Sequence, residues 1–383
     1  MMSKRTKTIL QVLDQYDLNG QIVSVAPYGQ GHINDTYLVT VSRFGKEEPA
    51  YVIQRINKKV FSNVELLMQN ITRVSAHIRK KIKLANDPRW EALTLVLSKQ
   101  GSAFSFDDNG DYWRIYLFVK NSRTYNSPEK DGLLYESGLA YGKFSEMLND
   151  FPAQELYETI PKFHDTEARM LQLYEALHED RMHRKQKILS EIDFAIKHEN
   201  DASYFNMMRE QGALPIRVTH NDTKLNNVLF DVRTDKAKCV IDLDTVMPGL
   251  LAFDYGDAVR FGANTVAEDE KDLEKCHINL HRFKEYTVGF LVCNSKTITQ
   301  NEIDTLPMGA KIMTLESGIR FLTDYLNGDV YFKTKYPDHN LDRARNQFAL
   351  VADMEINWDK MRKIVVDAAK DAKNGVRAYW GNF

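Results

Sequence analysis

Near residue 120 the spacing of apolar residues changes, and this change constrains the fold more than any other feature of the 383-residue chain. Before it stand short apolar stretches, QIVSVAPY, TYLVTV and AYVIQRI, separated by YGQGHIND and SRFGKEEP. The breaks carry the glycine, asparagine, aspartate and proline that turn one strand into the next, so the stretches read as an antiparallel meander. Val64 to Lys80 then repeats apolar residues at close to a helical period, and Ile9 to Tyr16 reads as a short amphipathic helix. LTLVLSKQ and DYWRIYLFV, on either side of the turn FSFDDNGD, complete a five-stranded antiparallel sheet with a helix after its third strand. From Gly132 onward the pattern is mostly helical: GLAYGKFSEMLNDF, DTEARMLQLYEALHED and QKILSEIDFAIKHEN, then helices around 268 to 292, 301 to 327 and 341 to 374. One short strand pair, NNVLFDV and KCVIDLD, interrupts them. The fold class is α+β, with a small N-terminal lobe at residues 1–120 and a larger, mainly helical lobe at 121–383.

The formal net charge of −2 gives no general attraction to nucleic acid or to an anionic membrane, so any phosphate binding must be local. The N-terminus has no continuous apolar signal region, and no stretch of the chain has the length and hydrophobicity of a membrane span. Cys239, Cys276 and Cys293 form no C-x-x-C pair, which fits a reduced cytoplasm. Cys276 precedes His277, but adjacent residues lack the spacing of zinc ligands, and both read as structural.

The stretch THNDTKLNNVLFD crowds a histidine, carboxylates, a lysine and asparagines against the apolar start of a strand. Polar groups beside a core element are costly unless they are bound. Asn227 follows Asp222 by five residues, and Asp242 closes the apolar run CVI twenty residues after Asp222. Phosphoryl transfer needs this set of groups: an aspartate on the accepting hydroxyl, and an asparagine and a second aspartate holding magnesium against nucleotide phosphates. An Asx-rich turn that only caps local backbone is the bland alternative.

The pattern H-x-D-x-x-x-x-N followed by I-D, here His220, Asp222, Asn227, Ile241 and Asp242, resembles the aminoglycoside phosphotransferase and choline kinase superfamily. Within it, YGQGHIND, IPKFHDTEARM, IDLDTVMPG and ESGIRFLTDYLNGDVYF resemble the N-acetylhexosamine 1-kinases, over about residues 20 to 350. The resemblance implies a two-lobed protein-kinase-like fold and an ATP- and Mg-dependent kinase. Such an enzyme moves the γ-phosphoryl group to the anomeric 1-hydroxyl of an N-acetylhexosamine (GlcNAc or GalNAc), in the cytoplasm, with ATP and the sugar as its only partners. It further implies that Asp222 is the catalytic base, that Asn227 and Asp242 hold the metal, that His220 braces the loop, and that Asp254 bonds the loop backbone. An N-cap to a helix beginning near Tyr255 explains Asp254 equally well. Asp244 either approaches a second magnesium or orients Lys224.

On the nucleotide side, Gly29 and Gly31 would let backbone amides approach phosphates, although a G-x-G between strands is more often an ordinary hairpin. The third-strand lysine of many kinases is missing: the matching position holds Gln54, with Arg55 next to it. Strand alternation puts the two on opposite faces, so one of them at most takes the lysine's place without a bulge. Glu65 is explained as well by the helix macrodipole as by an ion pair. On the acceptor side the candidates are His32, Asn34, Thr245, Phe261, Arg320 and Tyr331, which offer a sugar directed hydrogen bonds and a ring face. Rival readings are a kinase of the same fold for choline, ethanolamine, homoserine or an aminoglycoside, and a nucleotide-binding pseudokinase. Arg320 opposes the cationic acceptors, and the intact Asp222, Asn227 and Asp242 oppose the pseudokinase.

Overall fold

The computed structural model describes residues 4–29 and 33–375. In chain order its strands are β1 (Gln21–Pro27), β2 (Asp35–Arg43), β3 (Lys46–Arg55), β4 (Leu95–Val96), β5 (Ser105–Phe106), β6 (Tyr112–Leu117), β7 (Ser122–Arg123), β8 (Arg217–Thr219), β9 (Val228–Asp231), β10 (Ala237–Val240) and β11 (Met247–Gly249). The helices are α1 (Lys4–Leu13), α2 (Val64–Ala85), α3 (Leu133–Met147), α4 (Thr166–Glu179), α5 (Leu189–Lys197), α6 (Glu199–Ala202), α7 (Tyr204–Glu210), α8 (Leu251–Gly262), α9 (Leu280–Asn294), α10 (Gln300–Leu326), α11 (His339–Ile356) and α12 (Trp358–Lys373). Contacts divide them into two compact units. The first holds the chain up to Arg123 with Asp150–Ile160 and Leu229–Met247; the second holds Thr124–Asn149, Pro161–Val228 and the chain from Pro248 on. The first unit thus takes in the strand pair β9–β10 from Leu229 on, together with the N-terminal segment.

The first unit is built on an antiparallel sheet in the order β1-β2-β3-β6-β4, with β5 also paired to β6. All five strands expected from the sequence are present. The sixth, β5, lies in FSFDDNGD, where Ser105 and Phe106 pair with Trp113 and Tyr112 before the turn begins. Strand alternation gives the sheet two different faces. One carries Val39, Val41, Ile53, Trp113 and Ile115, which pack with Ile9, Val12 and Leu13 of α1. The other carries Thr36, Gln54 and Arg114, adjacent in register across β2, β3 and β6. Helix α1 begins at Lys4, ahead of its first apolar residue Ile9, and α2 runs past Lys80 to Ala85. Asn63 caps α2 by accepting the Leu66 N–H, and Asn86 ends it in the left-handed conformation.

The second unit is helical around a core that includes Leu173, Ile192, Leu315, Ile319, Leu322 and Val351. Two boundaries differ from the sequence reading for local reasons. The helix expected from 268 begins at Leu280, where Asn279 accepts the Arg282 N–H as a cap. The helix expected across 341 to 374 is two, α11 and α12, separated at Asn357. Cys276 donates its S–H to the Asn346 carbonyl, and His277 pairs with Asp353, so both are structural as expected.

Helices α8 and α10 approach so closely that no side chain fits between them at one crossing. A Cβ on Gly256 would lie 2.2 Å from the Gly309 carbonyl oxygen, and one on Gly309 would lie 2.3 Å from that of Ala252. The backbone contact fixes α8, which carries Asp254 and Asp257, against α10, which carries Glu316 and Arg320. Gly256→Ala forces the helices apart, and we expect it to cost about 1–3 kcal/mol, as overpacking of a core typically does. Chemical denaturation of the variant beside the parent measures this, and an unchanged midpoint would show that the crossing relaxes freely.

Candidate active site

The segment between β8 and β9 is irregular, and its backbone amides need acceptors that no ladder supplies. Asp254, in the first turn of α8, provides them. The N–H groups of His220 and Asn221 donate to its two carboxylate oxygens at 2.8 and 2.7 Å. The Thr223 hydroxyl donates to the Asp254 carbonyl at 2.6 Å, and the Thr223 N–H to Asp257 at 3.0 Å. Helix α8 begins at Leu251, so Asp254 is not an N-cap at Tyr255. Asn221 takes the left-handed conformation, φ 64°, which asparagine tolerates better than most residues. Burial pushes the Asp254 carboxyl above its ordinary range even though His220 and the two amides oppose the shift.

His220 is fully buried, with the rings of Tyr141 and Phe144 edge-on at 5.4 and 5.6 Å. Its Nδ1 accepts the Asp222 N–H at 3.3 Å, so the histidine shapes the loop from below. The Asp222 side chain remains partly exposed. Lys224 Nζ lies 2.6 Å from one carboxylate oxygen, and Asn227 Nδ2 donates to the other at 3.0 Å and to the Asp222 carbonyl at 2.9 Å. The Asp222 charge raises the pKa of the Lys224 ammonium against the opposing effect of burial. Tyr141 OH donates to the Lys224 carbonyl at 2.8 Å. With its nitrogen turned to Asp222, the Asn227 amide leaves its oxygen as the end for a cation, and oxygen is the only amide atom that coordinates magnesium.

A second brace comes from a residue that no motif marked. His164 Nδ1 lies 3.0 Å from Glu316 and Nε2 lies 3.1 Å from the Asn221 carbonyl. Both partners accept only, so the ring satisfies both by carrying two protons. Burial alone would lower the His164 pKa, but the Glu316 carboxylate outweighs it and the value is raised. Glu316, buried as well, is held below its ordinary value chiefly by His164, and its other oxygen accepts from Thr166. Asp257 is likewise kept low despite burial by Arg260, Lys224 and His164. His164 and Glu316 stood inside two recognisable phrases, but nothing in either phrase pairs them.

Arg320 and Tyr331 come together in the second unit. The Arg320 guanidinium sits 5.9 Å from the Tyr331 ring, 5.9 Å from Phe163 and 5.5 Å from Phe332. Asp324 fixes the turn that presents Tyr331 by accepting the N–H groups of Val330, Tyr331 and Phe332. Tyr331 is largely exposed. Phe261 is half-buried near the end of α8.

The remaining candidates lie in the first unit. Asp242 is exposed just past β10 in the left-handed conformation, φ 61°, which is unfavourable for aspartate by about 1 kcal/mol. The 3-10 turn Leu243–Thr245 follows, with Thr245 buried. Gly29 has φ 77° and open space where a Cβ would stand. Gly31 and His32 lie outside the described residues. Asn34 is a strut: its Nδ2 donates to Asp244 at 2.6 Å and its Oδ1 accepts the Asn57 N–H at 3.0 Å. Arg55 is on the face that packs against α1, where Asp35 and Asp111 engage its guanidinium. Glu65 is exposed in the first turn of α2.

Residues 24–285 match the model of the phosphotransferase enzyme family, and the chain belongs to that family. The fold is similar to that of an aminoglycoside phosphotransferase from Alicyclobacillus acidocaldarius subsp. acidocaldarius DSM 446, with a TM-score of 0.57 at 14% identity over 95% of this chain and 96% of that one. It is also similar to a microcompartment-associated aminopropanol kinase (TM-score 0.54, 14% identity, 93% and 98% covered). A choline kinase from Cryptosporidium parvum Iowa II scores 0.53 at 14% identity, with 95% and 99% covered. Among the described residues no helix is long and apolar enough to cross a membrane.

The charged His164–Glu316 pair makes stability depend on pH. His164 is raised from its ordinary 6.5, so its contribution is complete below that value and is lost as pH rises through the raised one. Glu316 is lowered from 4.5, so its contribution is complete above that value and is lost as pH falls through the lowered one. The difference in unfolding midpoint between the parent and His164→Gln should therefore be greatest between 4.5 and 6.5 and should shrink at alkaline pH. Thermal melts across pH measure it, and a gap that stays constant would remove the imidazolium.

Proposed function

We propose that the protein is an ATP- and magnesium-dependent kinase that phosphorylates the anomeric 1-hydroxyl of an N-acetylhexosamine. The observation that carries the acceptor class is the setting of Arg320 among Phe163, Tyr331 and Phe332. Rings of this kind would cage a quaternary or primary ammonium, but here an arginine already faces them and repels a cationic acceptor. A neutral sugar meets no such penalty. It packs a pyranose face on an exposed ring such as Tyr331, and its hydroxyls and acetamide carbonyl accept from the guanidinium.

In the proposed reaction the sugar hydroxyl oxygen attacks the γ-phosphorus, the bond from that phosphorus to the bridging oxygen breaks, ADP leaves, and the hydroxyl proton passes to Asp222. The bonds from Asn227 and Lys224 orient the Asp222 carboxylate, and the Lys224 ammonium adds positive charge where the transferred group is most negative. Asn227 and Asp242 would supply hard oxygens of the kind that magnesium prefers. Bound magnesium would supply charge neutralisation to the nucleotide phosphates. The exposed, left-handed Asp242, just past β10, fits that role.

Incubation with ATP, magnesium and a panel of acceptors, with NMR to locate the phosphate, tests the substrate. The expected product is the 1-phosphate of GlcNAc or GalNAc; turnover of choline, ethanolamine, homoserine or an aminoglycoside instead would overturn the sugar assignment. Asp222→Asn keeps the shape and removes the proton acceptor, so kcat should fall by roughly 10² to 10⁴. Sugar affinity by calorimetry should change little, and near-normal turnover would dismiss Asp222 as the base. Asp242→Ala should be inactive at any attainable magnesium concentration, and full activity would dismiss it as a ligand.

A further inference from the structure

A fully buried arginine needs an explanation, because the desolvation of a buried ion pair commonly exceeds its Coulombic gain and apolar residues would hold the site as well. Arg114, on β6, is such a residue at 1% exposure. Its Nη1 donates to Asp244 at 2.5 Å and its Nε to Gln54 Oε1 at 2.9 Å, while its plane lies 5.2 Å from the Tyr116 ring. Gln54 in turn donates to the Thr36 hydroxyl at 3.0 Å. The polar row Thr36, Gln54, Arg114 thus crosses three strands on one face of the sheet. It begins beside Gly29, since the Thr36 carbonyl accepts the N–H of the preceding Tyr28 at 2.9 Å. At its other end Asp244 bonds Arg114 through one oxygen and Asn34 through the other. Asp244 is thereby committed to the first unit, and it lies two residues beyond the exposed Asp242.

We propose that Arg114 is the cation that binds the nucleotide's phosphates, supplied from β6 because β3 carries the neutral Gln54. This rests on the kinase reading above. The two positions are direct cross-strand partners, Gln54 opposite Arg114, so a charge on either strand reaches the same patch of the sheet face. Arg55, the nearer candidate by sequence, points to the other face and spends its donors on Asp35 and Asp111. A guanidinium has five N–H donors in a rigid fork: Arg114 spends Nε on Gln54 and Nη1 on Asp244 and the Met68 sulfur, so Nη2 is the edge it would turn to phosphate oxygens. Asp244 then serves as a positioning residue that holds the fork in the plane of the row and ties it to Asn34, just ahead of β2.

Calorimetric titration of the full chain with magnesium–ATP and, separately, with adenosine tests the assignment without any acceptor. A lost charge-assisted contact is worth about 1.5–3 kcal/mol, or roughly a tenfold to hundredfold change in affinity. Arg114→Gln should weaken ATP by that factor and leave adenosine within about twofold. The exchange variant Gln54→Lys/Arg114→Gln returns a cation to the row from β3 and should recover most of the ATP affinity. Unchanged ATP binding in Arg114→Gln, or equal losses for ATP and adenosine, would overturn the proposal and leave Arg114 a structural residue. If the single variant does not fold, the exchange variant decides: a parent-like preference for ATP over adenosine supports the assignment, and a lost preference overturns it. A parent chain that binds adenosine no less tightly than ATP would remove the kinase reading itself, a result distinct from a parent that prefers ATP and a variant that keeps that preference.

Discussion

The carboxylate of Asp254 is the interaction on which the candidate active site depends. An irregular segment that must hold an aspartate, a lysine and an asparagine in one orientation cannot satisfy its own amides, and two of them close on this single buried side chain. The acceptor is rigid because α8 is rigid, and α8 is placed by a backbone-to-backbone crossing with α10 at Gly256 and Gly309. Beneath the loop His220 accepts the Asp222 amide, and beside it the doubly protonated His164 reaches the Asn221 carbonyl from its anchor on Glu316. Helix α8 and the His164–Glu316 pair therefore converge on consecutive residues of the loop. This is the preorganisation that a site of charge stabilisation requires, since donors and acceptors that must reorient during reaction contribute less.

The first unit solves a different problem with the same means. Its sheet has an apolar face covered by α1 and a polar row on the other, and the row is continuous from Thr36 to Asp244. Register brings Thr36, Gln54 and Arg114 opposite one another, and the turn after β10 supplies Asp244. A neutral glutamine on β3 beside a buried arginine on β6 keeps one positive charge in that patch, so the absence of a third-strand lysine is not an absence of charge from the sheet face.

The central motif was legible because its members lie close in sequence and their chemistry restricts the alternatives: Asp222, Asn227 and Asp242 share few other uses at that spacing. The five strands and most helices were legible from apolar period, and the differences fall at Asn279, whose side chain starts α9, at Asn357, where α11 gives way to α12, and at a two-residue strand that forms beside β6. Arg55 and Gln54 could be assigned to opposite faces from alternation, but which face held the charge depended on what packed against each.

By itself the sequence determined the family, the α+β class and the polar loop before β9, since these follow from local period and from motifs whose residues are near neighbours in the chain. Only the tertiary structure decided that His164 pairs with Glu316, that Asp244 belongs to Arg114 and Asn34, and that Asp254 braces the loop rather than capping a helix. Those pairs are separated by 152, 130, 210 and about 34 residues. The physical reason is that a buried charge is read by its partner and not by its neighbours in sequence: burial makes each of these groups costly alone, and the fold supplies the partner from a distant element.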